Sequence, residues 1–128
     1  MRRLIVDVAA GDYTVAKLPP GEVPPLFDRG GAFVSVTSTP AEVSIVCPTD
    51  VAPTAGERED GWRLLTVRGP LEFTLTGIMA ALAGELAAAG VSLFAVSTYD
   101  TDHILVKATD LDRAVLALRE AGHEVEQA

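Results

Sequence analysis

The fold of this chain is decided by residues 62–126, WRLLTVRGPLEFTLTGIMAALAGELAAAGVSLFAVSTYDTDHILVKATDLDRAVLALREAGHEVE, where strand-like and helix-like patterns alternate. The first segment, 62–68, is apolar and ends at a Gly-Pro pair, which is typical of a strand. The apolar residues that follow recur at helical spacing and form one stripe, made of Leu75, Ile78, Met79, Leu82 and Leu86. They predict a helix over 73–89, with Gly90 as its C-terminal cap.

The remaining segments complete a known arrangement. Residues 91–98 and 103–108 are rich in β-branched and apolar side chains, and the polar turn between them predicts a hairpin. A second amphipathic helix is predicted over 110–121, and a short strand over 123–126. The order βαββαβ is ferredoxin-like, so we expect an α+β fold with both helices on one face of an antiparallel sheet.

The first half of the chain carries a weaker copy of this hairpin. When the sequence is displaced by sixty positions, residues 31–50 align with 91–110 without a gap. The identical pairs are Val36 and Val96, Val46 and Val106, Thr49 and Thr109, and Asp50 and Asp110. The shared order of strand, turn, strand and cap favours an internal repeat.

This first copy is degenerate. Only 22–27 remains for its first helix, and Pro24 and Pro25 limit that helix to about one turn. No second helix follows Asp50, and 51–61 has the composition of a polar linker. An extra strand over 4–9 is expected to replace the missing last strand of the first sheet. The predicted boundaries are 1–56 for the degenerate N-terminal unit, 57–61 for the linker and 62–128 for the C-terminal unit.

The composition of the chain narrows the classes of partner and the cellular location to be expected. The chain has 128 residues and a formal charge of −8, with no cluster of Lys and Arg, so nucleic acid is not an expected partner. Its most apolar segment, 75–89, is shorter than the roughly 20 residues that span a bilayer, so no membrane association is expected. One cysteine, Cys47, excludes an intramolecular disulfide, and no signal peptide is recognised, so we expect a cytoplasmic protein.

Two motifs carry a resemblance to a family. The helix entry GPLEFTLTGI (69–78) and the hairpin STYDTDHILV (97–106) are similar to the tandem ACT domains of CASTOR-type arginine sensors and their small bacterial relatives. The resemblance runs from Tyr13 to the end of the chain. It implies two ACT units and an amino-acid pocket between units, at the first β–α junction and the hairpin loop. The matching positions are Gly69, Glu72, Thr98, Tyr99 and Asp102. The animal sensors have four units, so here the pocket is expected between the two halves or across a dimer.

The chemistry of these positions suits an amino acid. Free N–H groups at a helix start are a seat for a carboxylate, and since Pro70 has none, Leu71 and its successors would donate. Asp102 and Glu72 would accept hydrogen bonds from an ammonium group. Other interpretations stay open: Glu72 suits any helix start, and Asp100 and Asp102 suit any hairpin turn. We assign Asp100 to the turn alone.

No other chemistry has a motif in this chain. Metal, thiol, hydrolase and nucleotide-binding spacings are all missing from the sequence, so we expect no cofactor, no metal and no catalytic residue. His103 is assigned a surface or packing role, and Cys47 the role of a small buried apolar residue.

Three functions remain. The first is a non-enzymatic amino-acid sensor, in which a helix start and a hairpin carboxylate hold the ligand. The second is an interaction or dimerisation module without a metabolite, and the third is a small enzyme on the same scaffold. A homodimer is expected, because the extra strand over 4–9 leaves sheet edges to cover.

Overall fold

The computed structural model describes residues 3–22, 32–69 and 77–128. The chain forms two compact units. The larger unit combines residues 1–10 with 63–128, and the smaller unit comprises residues 11–62. The fold is α+β, as the sequence predicts, and its elements follow one another as β1 (Ile5–Val8), β2 (Tyr13–Leu18), β3 (Ser35–Ser38), β4 (Val43–Pro48), β5 (Glu57–Val67), α1 (Ile78–Ala88), β6 (Leu93–Ser97), β7 (Asp102–Lys107), α2 (Leu111–Glu120) and β8 (Glu124–Gln127).

The larger unit contains the predicted βαββαβ order, from β5 to β8. Its core lies between the sheet and the two helices. The central side chains of this core are almost completely buried, and they include Leu65, Leu82, Leu86, Ile104, Val106 and Leu118. The apolar stripes of the two helices therefore cover one face of the sheet.

Glycines with positive φ stand at the start of α1 (Gly77) and just after α1 (Gly90) and α2 (Gly122). The N-cap of α1 is Gly77, whose φ of 78° lies in the left-handed region. The described helix therefore starts at Ile78, five residues after the predicted start, and 70–76 is not described. At its end, Val91 donates a backbone hydrogen bond to Leu86 over 2.9 Å. Helix α2 agrees with its prediction to within one residue at each end.

The first strand of the chain does not lie where the sequence suggested. Strand β1 pairs antiparallel with β5 and parallel with β8, so it lies inside the sheet of the larger unit. The expectation that it completes the first sheet is therefore wrong. Leu4, Val6 and Val8 point their side chains into the larger core, and this burial explains the position.

A buried histidine holds this strand. The backbone N–H of Leu4 donates to Nδ1 of His123 over 3.1 Å. Nε2 of His123 lies 3.1 Å from Oε2 of Glu85 in α1, but these two atoms are off hydrogen-bond geometry. Because the His123 side chain is only 1% exposed, the turn before β8, the start of β1 and helix α1 meet at one imidazole.

The smaller unit is an antiparallel sheet in the order β3, β4, β2 and the first part of β5. Residues 57–61, expected to be a linker, belong to β5 and pair with β2. The polar residues of this segment are compatible with a strand because their charged side chains stay at the surface. One such surface contact is the hydrogen bond that Arg58 donates to Asp60 over 3.1 Å. In the described part of this unit the only helical turn is Thr49–Val51, and the expected truncated first helix at 22–27 falls mostly outside the description.

The internal repeat is present, but its displacement is 59 residues and not 60. Strand β4 and the turn Thr49–Val51 correspond to β7 and the turn Ala108–Asp110 at this displacement. The register agrees, since Val36 faces Ile45 in one hairpin and Ala95 faces Ile104 in the other. A slip of one residue exchanges the two faces of a strand, so the equivalences of the loop residues change with it.

Candidate functional site

The loop of the β6–β7 hairpin is fixed against the end of β5. The N–H of Thr98 donates to the carbonyl of Thr101 over 2.9 Å and closes the loop. The hydroxyl of Thr101 then donates to the carbonyl of Val67 over 2.5 Å. The hairpin loop therefore contacts the end of β5 at Val67, two residues before Gly69.

A carboxylate stands at this meeting point. Asp102 opens β7, is half-buried, and pairs across the hairpin with Ser97, whose hydroxyl donates to Oδ1 over 2.6 Å. An ionised carboxylate has about four acceptor positions. Asp102 is therefore held in place by the protein and keeps acceptor capacity for a ligand.

Below the loop lies a buried imidazole. His103 is 9% exposed, its Nδ1 lies 2.9 Å from Oγ1 of Thr66 in β5, and its Nε2 lies 3.5 Å from Oγ1 of Thr98. Burial lowers the pKa of His103 below the ordinary value, and the neighbouring charge of Asp102 opposes that shift. The ring is thus favoured in its neutral form.

The predicted site residues divide into two groups. Thr98 and Asp102 lie together on the hairpin, with Tyr99 at its tip, 79% exposed, and the exposed Gly69 follows the strand that the loop contacts. Leu71 and Glu72 lie outside the described residues, so their positions stay predictions.

Sequence reasoning missed three residues of this arrangement: Thr66, Thr101 and His103. A signal was available for two of them. Thr66 is a hydroxyl residue inside the apolar run WRLLTVR, and His103 directly precedes the apolar run ILV. A polar side chain at such a place is usually hydrogen-bonded.

The β3–β4 hairpin of the smaller unit has the same loop hydrogen bond as the β6–β7 hairpin but different side chains after it. The N–H of Thr39 donates to the carbonyl of Glu42 over 2.9 Å, as Thr98 does to Thr101. At a displacement of 59, Val43 and Ser44 occupy the places of Asp102 and His103. The hairpin of the smaller unit therefore has neither a carboxylate nor an imidazole at these two positions.

A second polar cluster lies in the smaller unit and is structural. Oγ1 of the fully buried Thr14 lies 2.6 Å from Oδ1 of Asp60 and 2.9 Å from Oγ1 of Thr49. An ionised Asp60 only accepts, so Thr14 donates to it, and this bond lowers the pKa of Asp60. The cluster joins β2 to β5 and to the turn after β4.

Two further searches were limited to the described ranges. No group of three His, Cys, Asp or Glu side chains there is arranged to hold a metal ion. Neither described helix has the length and apolar character to cross a bilayer.

Comparison with known proteins identifies families and relatives that this chain resembles. The model of the ACT domain matches residues 57–120, and a second model, of an N-terminal domain, matches residues 11–55. The human and bovine proteins named "Cytosolic arginine sensor for mTORC1 subunit 1" are each 42% identical over 67 residues, which is 52% of this chain. The match spans only 20% of the length of these curated relatives.

Solved structures agree over the whole chain. A protein from Agrobacterium tumefaciens is 36% identical, with a TM-score of 0.90, and the match covers 100% of this chain and 96% of that one. The aspartate kinase of Synechocystis matches 94% of this chain and 27% of its own, with a TM-score of 0.66 and 21% identity, a likeness of fold alone. Since the ACT model covers half of the residues and includes the hairpin site, this chain belongs to the ACT domain family.

Proposed function

We propose that this protein is a non-catalytic regulatory module that binds a free amino acid at the β6–β7 hairpin loop. The observation that carries the proposal is the carboxylate on that loop. Ser97 holds Asp102 in place, and Thr101 fixes the loop, which also contains Thr98, to the end of β5, at the junction that leads to Gly69. An ammonium or guanidinium group of the ligand is the natural donor to Asp102.

The relatives support a sensor and not an enzyme. The matched curated proteins are named as cytosolic arginine sensors, and the ACT domain model that matches this chain covers the hairpin motif. An amino-acid signal in the cytoplasm is the corresponding proposal for this chain. As the sequence suggests, the backbone N–H groups of Leu71 and its successors, after Gly69, would receive the ligand carboxylate. Glu72 would join Asp102 as an acceptor for the ammonium group.

A thermal-shift screen tests the proposal directly. A ligand that binds only the folded state stabilises it by about 2.7 kcal/mol at a concentration of 100 times its Kd. We expect at least one of the twenty amino acids to raise the melting temperature, with arginine the first to try. If none does so at millimolar concentration, amino-acid binding is excluded.

The first prediction concerns Asp102. Replacing it with Asn removes a charged acceptor, so binding should weaken by about 1.5–3 kcal/mol, the usual contribution of a hydrogen bond to a charged group. Calorimetry measures the change. Asp100→Asn is the matched control, since it removes an exposed carboxylate two residues away in the same loop. Equal weakening in both variants would assign the effect to net charge and remove Asp102 from the site.

The interaction module remains a second candidate because of one strand edge. In the described part of the chain β6 pairs with β7 alone, and its sequence LFAVS contains no charge. Uncharged edge strands tend to pair with another chain. A homodimer through this edge is compatible with either function.

A further inference from the structure

The backbone of the edge strand β6 directs hydrogen-bonding groups outward at every second residue. The N–H of Thr98 donates to the carbonyl of Thr101 over 2.9 Å, so these two residues form a hydrogen-bonded pair of the antiparallel hairpin. Such pairs alternate with pairs that exchange no hydrogen bond, and the register of β6 with β7 is continuous. Leu93, Ala95 and Ser97 therefore direct their N–H and C=O groups away from β7, toward the edge of the sheet.

This pattern is complementary to itself. When a second β6 runs antiparallel with Ala95 opposite Ala95, each Leu93 faces a Ser97, and every outward group meets an outward group. Three facing pairs then exchange about six hydrogen bonds, two in each pair. A displacement of this register by two residues leaves two facing pairs and about four hydrogen bonds. An uncharged edge strand that fits its own copy in this way favours a two-fold dimer.

We propose that this protein forms a two-fold dimer in which β6 pairs antiparallel with β6 of a second copy, with Ala95 on the axis. The proposal rests on backbone register, so it does not depend on whether the hairpin loop binds an amino acid. Residues that face each other in an antiparallel sheet have their side chains on the same face, so Leu93 of the partner subunit continues the row of Asp102 and Ser97. It lies two strand spacings, about 10 Å, from Asp102. The interface therefore adjoins the carboxylate of the candidate site.

Helix α1 leaves room for a second copy beside β6. Its single charged residue is Glu85, which lies 3.1 Å from His123, just before β8. In the sheet, β8 lies beyond β1 and β6 lies beyond β7, on the two sides of β5, so Glu85 points away from the β6 edge. The opposite flank of the helix carries the small residues Ala83 and Ala87. Neither a charge nor a long side chain on that flank hinders the approach of another subunit.

The equivalent edge of the smaller unit fits a second copy less well. Its hairpin closes in the same way, from Thr39 to Glu42, so in β3 only Val36 and Ser38 direct their backbone groups outward. Self-pairing about Thr37 gives about four hydrogen bonds, against about six for β6. The two edges can therefore be compared by the same experiment.

Cysteine cross-linking of the full chain tests both the edge and the register. In Ala95→Cys the two thiols face each other in a hydrogen-bonded pair, with Cα atoms about 5.5 Å apart, a separation that a disulfide spans. In Ser97→Cys, the matched control on the same edge, they are displaced along the strands by roughly 14 Å, which a disulfide does not span. We expect mild oxidation to link Ala95→Cys at least about tenfold faster than Ser97→Cys, because thiols held in a complex meet at a raised effective concentration. The native Cys47 is buried and should not form a link.

Three results would contradict the proposal. Thr37→Cys places the same probe at an exposed position of β3, and faster linkage there than in Ala95→Cys would move the second copy to the smaller unit. Equal rates in Ala95→Cys and Ser97→Cys would indicate random collision. The absence of any linked species, together with a monomeric wild type in light scattering, would exclude the dimer. Circular dichroism checks that each variant is folded, and the thermal-shift screen reports amino-acid binding separately.

Discussion

His103 shows why single residues of the site were harder to predict than the motif around them. Its strand position was clear from the sequence, but its role depends on Thr66, which is 37 residues away and meets it only through sheet pairing. Thr98 and Asp102 were assigned to the site because they lie in the hairpin motif that carries the family resemblance, and their binding role stays a prediction. Residues of a site that are contiguous in sequence can be inferred from a pattern, whereas those joined by non-local pairing cannot.

The alignment of the two hairpins failed by a single residue for a related reason. At a displacement of 60 Glu42 matches Asp102, whereas the structure matches the buried Val43 to it. Four identities support either displacement, since at 59 Ser38, Thr39 and Ile45 match Ser97, Thr98 and Ile104, and Gly31 matches Gly90. Only backbone register distinguishes them.

A prediction at this scale compares two glycines. Gly56 and Gly61 both have φ of 82°, but a Cβ on Gly56 would lie 2.4 Å from the carbonyl oxygen of Lys17, and one on Gly61 meets nothing within 4 Å. Gly61→Ala should cost about 1–2 kcal/mol, the strain of a left-handed residue. Gly56→Ala should cost more, because backbone must also move. Urea unfolding measures both, and equal costs would show that the contact with Lys17 relaxes freely.

The two helices differ in how well their limits were predicted. Helix α2 has capping and stop signals that coincide with its amphipathic pattern, and its bounds were correct to one residue. The apolar stripe that predicted α1 begins before Gly77. The sequence pattern therefore starts earlier than the described helix, which begins after Gly77. Periodicity therefore indicates that a helix exists more reliably than it indicates where it starts.

The edge strand β6 leads to a prediction about dimerisation. Ala95 lies in the middle of β6 and is exposed, and a lysine there would place a charge in any intermolecular sheet. We expect the wild type to be a homodimer and Ala95→Lys to be a monomer in light scattering. Leu116→Lys is the control, because Leu116 is 59% exposed and lies on helix α2, not on β6. A wild type that is monomeric at high concentration would rule out dimerisation.

At the scale of the whole molecule, the position of β1 could not have been obtained from the sequence. Its alternation predicts a strand, but many partners are available to a strand of four residues. Burial of Leu4, Val6 and Val8 against the larger core decides between them. The larger unit is therefore made from two separate segments of the chain, with the smaller unit inserted between them.

This arrangement predicts that residues 62–128 are not stable alone. Each of the three buried side chains of this segment contributes about 1.5–3 kcal/mol. Their sum is comparable to the whole stability of a domain, about 5–15 kcal/mol. We expect the fragment to be unfolded by circular dichroism, and a peptide of residues 1–10 to restore its structure. The same peptide with Val6→Asp should fail to do so, and a fragment that folds unaided would contradict the prediction.

The insertion of β1 between β5 and β8 also sets an order of events during protein synthesis. The ribosome makes β1 before any of its partners, and β8, which lies along it in parallel, is made last. The smaller unit, by contrast, is continuous and is complete once residue 62 has emerged. The segment IVDV can pair with β5 once residue 67 has been made, but its parallel pairing with β8 must wait until residues 124–127 follow. The sheet closes on both sides of β1 only at that later step.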